Sequence, residues 1–183
     1  MPPFSELHPA LRAGWDLADQ VRAELIAAIT PLTPAQWTFR PASGAWCVGE
    51  IAEHLRLAEI GTSKMVRKLI RGDYRDWVLP SGIAPVTGGL DRYPYGDLQA
   101  PTGLAPDRAP DRDRLLPELD AAHARFRLEL AAFAGDDAEA LRSPDPATGT
   151  WLTLDGWLKL QAWHEAHHLA QIRRIQASPC FPR

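Results

Sequence analysis

The sequence predicts an all-α four-helix bundle, and three observations carry that expectation. Four stretches of roughly twenty residues repeat apolar side chains at helical spacing. Prolines and capping residues bracket them, and no run alternates apolar and polar residues as a half-buried strand would. At 183 residues, 45% hydrophobic and 23% charged, the chain has the size and composition of one globular domain spanning 1–183.

The first helix is expected over Pro9 to Thr30, where Leu11, Trp15, Ala18, Leu25 and Ile29 share a face and Pro31 and Pro34 end it. The second is expected over Val48 to Arg71, with Val48, Ile51, Leu55, Ala58, Met65 and Leu69 as its stripe. The third runs from Asp111 to Ala134. Its opening acids suit the positive end of a helix dipole, and Leu115, Leu119, Ala122, Phe126, Leu130 and Phe133 follow. The fourth covers Leu154 to Ala177, with Thr153 or Asp155 as its N-cap and Pro179 as the stop.

Between the second and third helices lies an irregular stretch, Asp73 to Pro110, holding six prolines and five glycines. A connection of that length is uncommon inside a compact domain and tends to serve function. Trp77, Tyr93 and Tyr95 give it apolar surface to pack, so a lid over 73–110 is expected. Its length also frees the bundle from simple up-down-up-down order.

The bulk numbers exclude several classes. Net charge is −3, and the absence of clustered Lys and Arg argues against a nucleic-acid partner. No run approaches 18 apolar residues, so no membrane span is expected. Two cysteines, Cys47 and Cys180, make no disulfide framework, and the N-terminus lacks a basic-then-apolar leader, which points to the cytoplasm.

The chemistry gathers near the C-terminus, where Trp163-His164-Glu165-Ala166-His167-His168 holds three of the six histidines. On a helix, His164 and His168 stand at i and i+4 on one face, about 6 Å apart along the axis. They fall on the stripe of Trp157, Leu160, Ile172 and Ile175, so each occupies a core position and needs a partner. One reading pairs them with carbonyls or carboxylates as ordinary core histidines. A metal ion satisfies both at once, and His54, beside the stripe of the second helix, is the candidate third ligand. Three imidazoles with a free coordination position would make a catalytic rather than a closed structural site. His167 projects about 100° away, beside the pair or on the surface. His8 and His123 read as surface or satisfied residues, and Cys47 as a small hydrophobe at a helix start, with a ligand or reactive thiol as the alternative reading.

His164-Glu165-Ala166-His167-His168 also matches H-E-x-x-H, the zinc-peptidase signature with Glu165 as general base. Such a site needs a third ligand, usually downstream. Beyond His168 the only donor is Cys180, in a proline-flanked tail, so the match is read as chance.

The segment Arg40-Pro41-Ala42-Ser43-Gly44-Ala45-Trp46-Cys47-Val48-Gly49-Glu50-Ile51-Ala52-Glu53-His54-Leu55, together with His164-Glu165-Ala166-His167-His168-Leu169-Ala170-Gln171-Ile172, resembles the DinB-like (YfiT-like) superfamily. The resemblance implies a four-helix bundle with a divalent metal, often zinc or nickel, on three histidines that fall at His54, His164 and His168. It also implies relatives that are bacillithiol S-transferases and mycothiol-dependent maleylpyruvate isomerases, a link to stress response, and a possible homodimer. Two positions depart from the pattern. Cys47 stands where a capping serine is common, and Ala170 where glycine is frequent.

The function expected on this basis is metal-dependent transfer of a low-molecular-weight thiol to an electrophile, with the metal lowering the thiol pKa. Arg22, Arg40, Arg56, Arg67 and the lid tyrosines are the candidates to hold the thiol's carboxylates. The alternatives are a hydrolase on the same three histidines and a non-catalytic module that binds metal or a small ligand.

Overall fold

The computed structural model describes residues 6–73, 93–96, 99–101, 103–136 and 138–183. Trp77 and most of the expected lid lie outside the described residues. Among those described, five helices and one small hairpin form, in the order α1 (Pro9–Ile29), α2 (Pro34–Thr38), α3 (Val48–Arg71), α4 (Arg112–Ala131), β1 (Arg142–Pro144), β2 (Trp151–Thr153) and α5 (Leu154–Gln176).

The four long helices match the expected stretches to within a few residues, and local chemistry explains each start. His8 caps α1, its Nδ1 accepting from the Ala10 amide, and Pro9 takes the first position, where no N–H is needed. Cys47 occupies the N-cap of α3 in extended conformation. Glu50 accepts from the Cys47 amide at 2.9 Å, so the carboxylate half of the capping box is kept despite the missing serine. Asp111 caps α4 through the Arg114 amide, and Thr153 caps α5 through the Gly156 amide. Gly72 ends α3 at φ +77°, a left-handed conformation that glycine adopts without strain.

Two features depart from the expectation. The first is α2, a single turn between Pro31 and Phe39 held by a full capping box of Thr33 and Gln36. It buries Trp37, whose indole N–H donates to the Pro110 carbonyl at 2.8 Å. Gly49 makes room for that ring, because a Cβ there would stand 2.5 Å from Trp37 Nε1. The second is the antiparallel pair β1–β2, in register Arg142↔Thr153, Ser143↔Leu152 and Pro144↔Trp151. Strands of three residues, one of them ending in a proline, carry no readable alternation. What holds them is the turn, where Asp145 accepts from the Ala147 and Thr148 amides and Gly149 takes φ +72°.

Around the bundle α1 packs on α5, α5 on α3, and α3 on α4, with a slighter α4–α1 contact. The consecutive long helices α1 and α3 therefore face each other across the diagonal, as the length of the connections permits. Two apolar clusters fill the interior. One gathers Leu11, Phe126, Leu130, Leu154 and Leu158, and the other Leu25, Ile51, Leu55, Leu119 and Ile172. His54 lies on α3, and His164 and His168 lie on α5. No helix among the described residues is long and apolar enough to cross a membrane.

Candidate metal centre

α3 and α5 run antiparallel. His54 of α3 meets His164 of α5, and eight residues further along α3 Thr62 donates to Gln161 of α5. This brings His54, His164 and His168 together, each 8% exposed or less. One ring nitrogen from each lies within 4.8 Å of the others, and the Nε2 atoms of His54 and His164 stand 2.9 Å apart. Nitrogens about 2.0–2.1 Å from a shared tetrahedral ion would be spaced by about 3.4 Å.

Neighbouring acceptors set which nitrogen is left bare. His54 Nδ1 donates to the Leu104 carbonyl at 2.9 Å, and His168 Nδ1 donates to Gln171 Oε1 at 2.8 Å. Each bond places the ring proton on Nδ1 and leaves the Nε2 lone pair facing the cluster, the arrangement usual for metal-ligating histidine. Burial lowers the pKa of all three rings. His164 falls well below the usual histidine range, and His168 is pushed down to about 4 although Gln171 works against the shift. The rings are therefore neutral at pH 7, the form that coordinates a cation.

The cluster opens on a cavity of about 1000 Å³. Its described lining includes Trp46, Leu104, Tyr93, Tyr95, Trp157 and His167. Tyr93 stacks on His167 at 4.6 Å between ring centroids and lies nearly parallel to His164 at 5.9 Å. His167 is thus half-buried in the cavity wall, beside the cluster but not part of it. Burial pushes the Tyr93 hydroxyl up to about 12, so it remains a donor at neutral pH.

The structure also places the remaining candidate residues. Arg22 is not available to a substrate. It is 4% exposed inside the bundle, where its Nη2 donates to Glu59 and to Glu165, both at 2.6 Å. Arg40 pairs with Glu50, Arg56 grips Glu53 through two nitrogens, and neither these two nor Arg67 lines the cavity. Among the described residues, the cations that do line it are Lys64, Lys68 and Arg174. Glu165 points into the core, where burial raises its pKa against the opposing pull of Arg22, so it is not placed as a general base at the histidines. Cys47 is buried and its thiol pushed up by burial, as suits a packing residue. His123 lies between Glu59 and Asp19, stacked on Trp15.

The Arg22–Glu59–Glu165 group was missed from sequence, yet a signal for it existed. Arg22 falls on the stripe of Leu11, Trp15, Ala18, Leu25 and Ile29, so a charged residue at a core position was already visible.

Comparison with known proteins agrees with this architecture. No curated protein matches the chain. Among solved structures it is similar to TT2238, a four-helix bundle protein, with 26% identity and a TM-score of 0.61 over 90% of this chain and 98% of that one. It is also similar in fold to YfiT from Bacillus subtilis, described as a probable metal-dependent hydrolase with an unusual four-helix bundle topology. There the identity is 18% and the TM-score 0.61, over 97% of this chain and 92% of that one. With residues 17–172 matching its family pattern, this four-helix bundle belongs to the DinB superfamily.

Proposed function

We propose that this protein is a metal-dependent transferase that uses His54, His164 and His168 to hold a divalent ion, zinc or nickel by preference, and joins a low-molecular-weight thiol to an electrophilic small molecule. The observation that carries the reading is the convergence of three neutral imidazoles on the wall of a large cavity. Three imidazoles leave coordination open, and borderline donors of this kind suit zinc, nickel, copper or iron. When bound, the ion would act as a Lewis acid that lowers the pKa of the group it holds.

The chain's own residues supply the rest. Leu104 and Gln171 orient two of the rings, and burial keeps them unprotonated. Trp46 packs its indole 5.1 Å from the His54 ring, between centroids, and forms part of the cavity wall beside the cluster. The cavity is wide enough for a thiol and its acceptor together.

A hydrolase on the same histidines is the second reading, favoured by the likeness in fold to YfiT. Activating water usually enlists a general base, and the acid among the described lining residues is Asp145. Its carboxylate is occupied by Thr148, two backbone amides and the Tyr95 hydroxyl. The ion lowers the pKa of bound water and of a bound thiol alike, but a thiol starts closer to neutrality, at about 8.5, and so needs the help of a base less than water does. The test is a panel of thiols and electrophiles assayed with metal-loaded and chelated protein. Thiol consumption that depends on both metal and electrophile is expected. Metal-dependent cleavage of esters or amides without thiol would replace transfer with hydrolysis, and no metal uptake would end both readings.

A further inference from the structure

The cavity continues past the histidines in both directions along the α3–α5 groove. Because the helices are antiparallel, Lys64 lies on one side of the cluster and Arg174 on the other. At 1.5 Å per residue, Lys64 is about 15 Å along α3 from His54, and Arg174 about 9 Å along α5 from His168. Both line the cavity. Helical side chains lean toward the N-terminus of their own helix. In this antiparallel pair that tilt turns both cations back toward the metal centre.

The two directions differ in character. Toward Lys64 the walls include Met65, Tyr95, Trp157 and Leu160, with Thr62 and Gln161 as polar groups nearer the histidines, a long and largely apolar channel. The acid at that end, Asp145, is held by its own turn and by Tyr95. Toward Arg174 the walls are Trp46 and Gln171, a shorter reach that suits a compact group. A volume of about 1000 Å³ is at the upper limit for one drug-sized molecule. A single small thiol would leave most of it unfilled.

We propose that the histidine cluster stands between two ligand arms that are filled together: an acceptor with an apolar body and a terminal carboxylate lies toward Lys64, and a carboxylate-bearing thiol lies toward Arg174. This rests on the transferase reading for the identity of the thiol, but not for the existence of the arms. Arg174 is the described cation of its arm, and the other arm carries Lys64 with Lys68 one turn beyond it, about 21 Å along α3 from His54, so a ligand of moderate length meets Lys64 first. Each ligand is anchored by its anionic end and presents its other end to the metal centre. A charge-assisted contact at a partly exposed lysine or arginine is worth about threefold to tenfold in affinity.

The test is calorimetry on zinc-loaded full-length protein with two probes, 4-phenylbutyrate and N-acetylcysteine. One equivalent of each is expected to bind, with either affinity changing less than about twofold when the other probe is saturating. Lys64→Gln should weaken 4-phenylbutyrate about threefold to tenfold and spare N-acetylcysteine, and Arg174→Gln should do the reverse. Competition between the probes, no binding of either, or both variants acting on the same probe or on neither would overturn the two arms. The cobalt-substituted protein separates the underlying readings. If N-acetylcysteine binds without a thiolate-to-cobalt absorption band, the thiol assignment fails while the arms stand.

Discussion

Arg22 of α1 reaches Glu165 of α5 at 2.6 Å inside the bundle, one residue from His164. The same guanidinium nitrogen contacts Glu59 of α3, five residues past His54. A single buried cation therefore ties α1 to both histidine-bearing helices, directly behind the cluster. Gln161 also donates to Glu165, at 3.0 Å, which fixes the carboxylate further.

Removing that cation should be expensive. Arg22→Leu takes the shared cation from two buried carboxylates, leaving Glu59 only His123 and Glu165 only Gln161 as partners, and should lower unfolding free energy by about 3–5 kcal/mol, read from urea denaturation. Adding Glu59→Leu and Glu165→Leu should recover much of the loss, because well-packed apolar groups can replace a buried ion group at little cost. A single variant as stable as the parent would show that the group carries no folding energy.

The histidines should divide three to one. His54→Ala, His164→Ala and His168→Ala are each expected to lose metal, measured by elemental analysis of untagged protein, whereas His167→Ala should largely retain it. Equal loss in all four would mean that His167 takes part in ligation.

Orientation of the His168 ring should matter nearly as much as the ring itself. Gln171→Leu removes the acceptor for His168 Nδ1–H and should weaken metal affinity about 10-fold to 100-fold in a chelator competition, with little change in far-UV circular dichroism. Unchanged affinity would show that the ring keeps its tautomer without help.

Acid should destabilise the metal-free protein before its carboxylates titrate. His168 titrates near 4 when folded against an ordinary value of 6.5, so between these limits the unfolded chain binds a proton that the folded chain refuses. Stability from this group is present above about pH 6.5 and is lost as pH falls toward 4. His168 alone should account for about 2 kcal/mol between pH 7 and pH 5, with His54 and His164 acting in the same direction. Urea midpoints at the two pH values check this. A flat profile would mean that the rings are not buried in the neutral form.

Gly49→Ala should cost about 1–3 kcal/mol, seen as a lower thermal midpoint. The new methyl would meet the Trp37 ring and the Ala109 side chain, which cannot both retreat while Trp37 donates to Pro110.

The periodic stripes of four long segments determined the bundle, because burying one face of each helix leaves few other packings. The i, i+4 pair at His164 and His168 was legible for the same reason, since helical geometry alone puts both rings on one side. What only the tertiary structure decided depends on which helices become neighbours. The antiparallel seating of α3 on α5 brings His54 to the pair across 110 residues of chain, and that proximity is not written in any local spacing. The diagonal placement of α1 converts Arg22 from a supposed substrate contact into a buried tie. The hairpin at β1–β2 escaped the sequence because it is held by a turn and by Trp157 donating to Ser143, contacts that a three-residue strand cannot announce. Local periodicity settles which side chains must be buried, but only the packed chain settles which of them meet.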